Sequence, residues 1–387
     1  MEDCEMPSEF EKMNVSLDKK VYEGMKRRFG EDPSLLVVER VKYELDVIKK
    51  LDLAKVFLIL WNIIRYATDK NIVVAVRGSI VGSMVAYCLG ITKVDPTKYN
   101  LFFERFINPD RINSPYIGVN IEDERRDEII KYLNAKYGKD SIKNINFLKP
   151  DILALKSLMA IKKTIEKVKD SYNINIDINK IPLDDKNTFN ILCKGDTKGI
   201  FQLRSIARGI LEMLEPKTLQ EIIALIALYR PGPIEFIDEY IKRKQGTAPI
   251  ICIHPIIDEI LNETYGIILY QEQIMQIVVE VAGFSLPQSD IFRKELFKIE
   301  SKIQEMYKFS FIKGAAEKKG IPTLKAEKIY DNLAIFAGYS FMKAHAVSCA
   351  IIAYQTAYLK ANYPIEFNEA IKCYDKAIVK NPKNVEE

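Results

Sequence analysis

Histidine is almost absent from this 387-residue chain, which has only His254 and His345. The six cysteines, Cys4, Cys88, Cys193, Cys252, Cys349 and Cys373, are scattered, and no pair has the two-residue spacing of a metal cluster. A zinc site or a disulfide framework is therefore not expected, and the compartment should be reducing. Long apolar runs are missing too: the longest, Val56 to Ile64, contains Trp61 and Asn62 and falls far short of the roughly 20 residues a membrane helix needs. The opening MEDCEMPSEFEK is acidic and has no apolar core, so it does not read as a secretory signal. Together these absences predict a cytoplasmic protein with no membrane partner. An excess of one charge is lacking as well, since 57 basic and 53 acidic residues leave a net charge of +4, too small to imply a polyanion partner by itself. The local imbalance lies between Arg293 and Lys343, with eleven Lys or Arg against six Asp or Glu.

What is present is a globular composition, 48% hydrophobic and 28% charged, in a chain long enough for two or three domains. The first 32 residues are charged, weakly patterned and read as a surface segment. From Val37 to Asp69 apolar residues recur at three and four, which predicts two amphipathic helices broken near Leu51 to Leu53. A β-branched strand, Asn71 to Val76, then runs into Arg77-Gly78-Ser79-Ile80-Val81-Gly82-Ser83 and an apolar helix, Met84 to Leu89. Such a strand, glycine turn and helix start can cradle phosphate, because the backbone approaches closely and its N–H groups and dipole favour an anion. The same turn also serves as a plain connection.

The central stretch is Arg111 to Glu128, RINSPYIGVNIEDERRDE. Ile117, Val119 and Ile121 alternate with Gly118, Asn120 and Glu122, so one face is apolar and the other is left for chemistry. In metal-dependent phosphoryl transfer that face carries Asp-x-Asp, whose carboxylates point the same way and bridge two Mg²⁺ ions about 4 Å apart. Gly118 and Asn120 stand at those positions here. A helix is expected from Asp127 to Lys136, and beyond it Pro150 would remove a ladder donor from any central strand it joined. From Leu183 onward the pattern is mostly helical, with breaks at Pro231, Gly246, Gly283, Gly320 and Gly338. At the end, Ala370, Tyr374, Ala377 and Pro382 have the spacing of the second helix of a tetratricopeptide repeat. A lone repeat cannot bury its own face, so an appended helix is expected.

These stretches resemble the bacterial C-family DNA polymerases, the alpha subunits of DNA polymerase III. In that family the active-site strand reads Pro-Asp-Ile-Asp-Ile-Asp-Phe before an Arg-Arg-Asp-Glu segment, matched here by Pro115 and by Arg125, Arg126, Asp127 and Glu128. Tyr116, Gly118 and Asn120 occupy the three Asp positions, and the second and third of those are the family's metal ligands. The glycine turn is similar to the family's Gly-Arg-Gly-Ser-x-x-Gly-Ser loop, with Val76 in place of the first Gly. Asp151 fits the third metal-binding Asp, on a strand of the form Lys-Phe-Asp-Phe-Leu-Gly-Leu, but follows Asn120 by only 31 residues, too few for the family's thumb. Gly195 to Leu203, Ala227 to Pro233, Thr264 to Gln273 and Phe336 to Phe341 with Lys343 and His345 resemble the family's fingers. Met342 and Ala344 stand where the family has Asn and Ser, and Arg204 where it has Glu.

The resemblance implies an α+β, mostly helical fold, with a reduced nucleotidyltransferase-like palm built on a mixed sheet, followed by helical fingers. Its boundaries would be an N-terminal segment at 1–34, the palm at 35–165, the fingers at 166–367 and the repeat-like helix at 368–387. It implies template-directed deoxynucleotide transfer to a primer 3′-OH with Mg²⁺, in a truncated chain whose activity is impaired at Gly118 and Asn120. The alternatives are an inactive remnant that still binds DNA or nucleotide, and an interaction protein using the C-terminal helix. Carried over residue by residue, Asp151 is the expected catalytic and metal residue, with Glu122 or Asp123 as further candidates. Arg77, Gly78, Ser79, Gly82, Ser83, Lys149, Lys343 and His345 are expected at the nucleotide. Arg230, Arg293, Lys294 and Lys298 are expected at primer-template DNA.

Overall fold

The computed structural model describes residues 9–111, 117–138, 150–203, 208–251, 253–296 and 302–380. It is predominantly helical, with one mixed three-stranded sheet, as the fold class expected. The chain divides into two compact units, Met1–Leu158 and Met159–Glu387.

In the first unit, helix α1 (Glu9–Phe29) is followed by α2 (Leu35–Lys50) and α3 (Ala54–Asp69), which meet at the expected break. The α1 helix is an addition to the surface segment read from sequence. Its buried Leu17, Val21 and Met25 fall at spacings of four, the signal that marks an amphipathic helix. Strand β1 (Val74–Gly78) begins three residues later than expected, and the short helix α4 (Met84–Cys88) follows its turn. Gly78 has φ 98°, a conformation open to glycine at little cost, which lets the chain leave the strand sharply. At Gly82 a Cβ would stand 2.8 Å from the Phe102 carbonyl oxygen, so the turn packs directly on backbone.

Strand β2 (Ile117–Ile121) lies between β1, to which it is antiparallel, and β3 (Pro150–Ala154), to which it is parallel. Pro150 is thus the first residue of an edge strand, a place where a missing donor is tolerated. Helix α5 (Arg126–Tyr137) follows β2, and α6 (Lys156–Tyr172) follows β3.

The second unit continues with α7 (Lys186–Cys193), α8 (Arg208–Leu214), α9 (Leu219–Leu228), α10 (Ile237–Lys244) and α11 (Pro255–Leu261). It then runs through α12 (Gln271–Ala282), α13 (Leu286–Glu295), α14 (Lys302–Lys319) and α15 (Thr323–Ala337). Helix α16 (Lys343–Asn362) and helix α17 (Pro364–Lys380) complete it. An apolar core joins α11 through α15 around Phe292, Phe311 and Tyr330. Helix α16 is buried on most of its circumference, which is why its sequence shows little amphipathic contrast. Its side chains also fasten a loop: Lys360 Nζ donates to the Asp196 and Lys198 carbonyls at 3.0 Å each, and Thr356 Oγ accepts from the Phe201 amide at 3.2 Å.

Helix α17 runs unbroken across the boundary expected at 368, with Phe367 and Ala370 buried. Pro382 lies outside the described residues. Cys88, Cys193 and Cys349 are not in disulfides, and burial pushes the Cys88 thiol up to about 12. No helix among the described residues is long and apolar enough to cross a membrane.

Candidate active site

The sheet register brings three expected residues into one row. Arg77 on β1 is opposite Gly118 on β2, and Gly118 is paired with Asp151 on β3. One step along, Ala75, Asn120 and Leu153 form the next row on that face. The face is not open as the alternation alone suggested, since every residue of β2 is buried and Asn120 is 0% exposed. A polar side chain so placed must be hydrogen-bonded. Asn120 Oδ1 accepts from Arg77 Nη2 at 2.7 Å, and Asn120 Nδ2 donates to the Ala75 carbonyl at 3.3 Å. Arg77 itself is half-buried.

These residues do not fit a two-metal centre. Gly118 has no side-chain donor, and the one oxygen Asn120 could offer a cation is turned toward a guanidinium. The buried Glu122 carboxylate accepts from the Val73 amide at 3.4 Å, while the Glu122 amide extends the ladder to the Val73 carbonyl. Asp151 is placed by its backbone register alone. Among the described residues no group of three or more His, Cys, Asp or Glu is gathered as a metal would need.

The turn after β1, a candidate phosphate cradle by its sequence, is filled from within. Ser83 is the N-cap of α4, its hydroxyl accepting from the Ala86 amide at 3.1 Å. That hydroxyl donates in turn to Glu44 Oε2 at 2.8 Å. The fully buried Glu44 carboxylate also accepts from the Met84 and Val85 amides, each at 2.9 Å, and from Arg40 Nε at 3.1 Å. The first two orphan amides of the helix thus end on a carboxylate from α2. Ser79 and Gly82 are buried in the same turn, and the Gly82 carbonyl accepts from Arg40 Nη2 at 2.7 Å.

In the second unit three of the four sequence blocks meet at the start of α16. Tyr270 and Phe341 form a parallel bridge, with the Phe341 amide donating to the Leu269 carbonyl and the Gln271 amide to the Phe341 carbonyl. Arg230 donates to the Tyr339 carbonyl and lies 4.7 Å from the Phe341 ring centre, and its burial holds the guanidinium below its ordinary pKa. The first two amides of α16, at Lys343 and Ala344, donate to the buried Glu272 carboxylate at 2.8 and 3.1 Å. Met342, at the N-cap, adds no side-chain bond. Lys343 is only 3% exposed, and its ammonium donates to both oxygens of Glu263 at 2.7 Å. Burial pushes the neighbouring Tyr270 phenol well above its ordinary pKa. His345 is half-buried, with Nε2 3.4 Å from Cys349 Sγ.

Two cations therefore differ from the sequence expectation. Lys343 is matched to Glu263 inside the fold, and Arg293 is 3% exposed and paired with the buried Asp290 at 2.7 Å. Neither is presented to solvent as a phosphate-contacting cation would be. Lys294 is half-buried on α13, and Lys149 and Lys298 lie outside the described residues. Glu44 and Glu272 stand outside the residues expected from sequence. Their signal was a glutamate on the apolar stripe of each helix, a placement that a buried carboxylate tolerates only with partners.

Comparison with known proteins gives this arrangement a context. Residues 15–187 match the family model described as the bacterial DNA polymerase III alpha NTPase domain, and residues 157–319 match the one described as the bacterial DNA polymerase III alpha subunit finger domain. The DNA polymerase III subunit alpha of Halalkalibacterium halodurans is 32% identical over 475 residues, covering 92% of this chain and 42% of that protein. Those of Bacillus subtilis and Thermus aquaticus are 33% and 30% identical, covering 89% and 87% of this chain and 42% and 38% of theirs. The chain spans about two-fifths of the length of these relatives. The two matched domains and these likenesses place the chain in the bacterial DNA polymerase III alpha-subunit family.

Proposed function

We propose that this chain carries the palm and fingers of a template-directed DNA polymerase and that its deoxynucleotidyl transfer is impaired at the metal site. On this reading the sheet-bearing segment, 35–165, is the palm and 166–367 the fingers. Primer-template DNA and a deoxynucleoside triphosphate are the substrates, and Mg²⁺ is the ion that the chemistry calls for. The observation that supports the impairment is the Arg77–Asn120 hydrogen bond, since one required carboxylate position holds a neutral amide turned to a cation and the other, Gly118, has no side chain. A bound Mg²⁺ pair would activate the primer hydroxyl and neutralise charge developing on the phosphates, and losing such stabilisation costs several kcal/mol at the transition state. Support for a shortened connection comes from the alignment with the Halalkalibacterium protein, which runs over 475 residues, more than the whole of this chain.

Nucleotide and DNA contact by Arg77, Arg230, Lys294 and His345 is retained in this reading. An interaction role for the C-terminal helix has less support, because Phe367 and Ala370 are packed within its own unit. A primer-extension assay with Mg²⁺ and with Mn²⁺ tests the proposal. The expected result is no template-dependent incorporation above a buffer control in either metal. Incorporation that depends on the template would overturn it.

A further inference from the structure

Away from the sheet row, three helices of the first unit carry aromatic rings interleaved with cations. On α1, Lys12, Ser16, Lys19, Lys20 and Glu23 recur at helical spacing on one side. That side opens a groove of about 570 Å³, lined among the described residues by these five and Val15. Lys20 carries the stripe onto α3, where its ammonium lies 4.0 Å from the ring centre of Trp61, which Arg65 approaches at 5.3 Å. Beside Trp61, Asn62 bridges to α5, donating to the Tyr137 hydroxyl at 2.7 Å and accepting from Lys136 Nζ at 2.9 Å. Lys136 also donates to the Tyr132 hydroxyl at 3.0 Å, and the Tyr132 ring stacks on Tyr66 with centres 4.0 Å apart. Trp61, Tyr66, Tyr132 and Tyr137 are each half-buried, so each is partly open to solvent.

The partners of Lys20 and Lys136 are rings, an amide and a hydroxyl, which orient a cation without cancelling its charge. Lys12, Lys19 and Arg65 are exposed. Glu23 lines the groove, Asp69 meets Arg65 at 3.8 Å in an exposed pair that solvent screens, and Glu128 is paired with Arg125 at 2.7 Å. Six cations thus stand against three carboxylates. Cations alone would suit any polyanion. The rings select among them, because the unpaired bases of a single strand have open faces that stack on aromatic side chains while its phosphates follow a positive groove. A duplex has its base faces covered, and an acidic peptide brings no base to stack.

We infer that α1, α3 and α5 form a binding surface for single-stranded nucleic acid, with phosphates along Lys12, Lys19 and Lys20 and a base at Trp61. The base exchanges with the Lys20 ammonium at the ring, and the ammonium turns to a phosphate. This surface is separate from the row of Arg77, Gly118 and Asp151 and does not depend on how that row is read.

Trp61 is the only tryptophan of the chain, so its emission reports on this surface alone. The full chain is titrated with an oligothymidylate of about 16 nucleotides, the upper size of a single-strand site, and binding is followed by tryptophan emission and, with an end-labelled copy, by anisotropy. Quenching that saturates with the anisotropy is expected. Lys12→Gln, Lys19→Gln and Lys20→Gln together should weaken binding by about tenfold and flatten the log–log salt slope by about 2, the share of three phosphates. Trp61→Leu should weaken it by about fivefold or more, as loss of one stacked base does. If the leucine variant does not fold by circular dichroism, the lysine variant and the wild-type quenching decide. A duplex of the same length should quench less, and polyglutamate should leave the emission unchanged. The inference is overturned by no binding, by binding without quenching, by a lysine variant that binds as wild type does, or by a duplex that quenches equally. Polyglutamate that displaces the oligonucleotide and quenches in its place would also overturn it, assigning the surface to an acidic protein segment.

Discussion

The sheet face at Arg77 and the two helix starts at α4 and α16 treat charge in opposite ways. At each helix start a glutamate from another helix accepts the first two amides, Glu44 at Met84 and Val85 and Glu272 at Lys343 and Ala344. The chain itself supplies the anion that a helix N-terminus attracts. On the sheet it brings a cation, the guanidinium of Arg77, to the face on which Gly118 and Asn120 stand. The glutamates are sealed in the interior, so they belong to the fold. Arg77 is half-buried and donates to the buried Asn120 amide oxygen.

The largest effect is expected at α16. Glu272→Ala would leave two buried amides without an acceptor and remove a charge beside Lys343, and should lower the unfolding free energy by about 3 kcal/mol. Urea denaturation with an unchanged slope would check this, and a loss of under about 0.5 kcal/mol would mean that water replaces the carboxylate and the start of α16 is open after all. Arg293→Met comes next. It removes a charge partner of the buried Asp290, and a loss of about 2 kcal/mol is expected, with no change in the salt dependence of DNA binding. A flattened salt slope with stability intact would instead return Arg293 to the DNA.

The sequence made the sheet face legible and the helix starts much less so. A period of two placed Gly118 and Asn120 on one face, and the three-and-four spacing placed α2, α3 and their break, because both signals are local. The bonds that close the helix starts join residues 40 and 71 positions apart, a separation that no pattern within an element reports. Arg293 and Lys343 add to the local positive excess in the sequence and are expected at DNA and nucleotide by resemblance, but neither composition nor resemblance records their depth. Strand β1 was displaced by three residues since Asn71, at φ 51°, still belongs to the turn that ends α3. The α1 helix was missed because lysines and glutamates outnumber the few residues of its buried stripe.

A smaller effect is expected at a helix start near the surface, which gives the comparison a scale. Asp185 caps α7, accepting from the Thr188 amide at 2.8 Å and hydroxyl at 2.7 Å. Burial pushes its carboxyl up, but the Thr188 and Asn362 hydrogen bonds outweigh that and hold it below the ordinary aspartate value. Its folded pKa is therefore depressed. The stability it contributes is present above the unfolded value and is lost as pH falls through the folded one. Asp185→Ala should cost about 1 kcal/mol at neutral pH and less in acid. Thermal melts of both proteins across that range would show the difference closing, and a gap that stays constant with pH would remove the charge from the explanation.

Whether the sheet face holds divalent metal is tested most directly by Mn²⁺ binding, without reference to turnover. Free Mn²⁺ can be followed by electron paramagnetic resonance as protein is added. The wild-type chain should leave the signal unchanged, while Gly118→Asp combined with Asn120→Asp should deplete it by bringing two carboxylates to one face. Stoichiometric depletion by the wild-type chain would contradict the account.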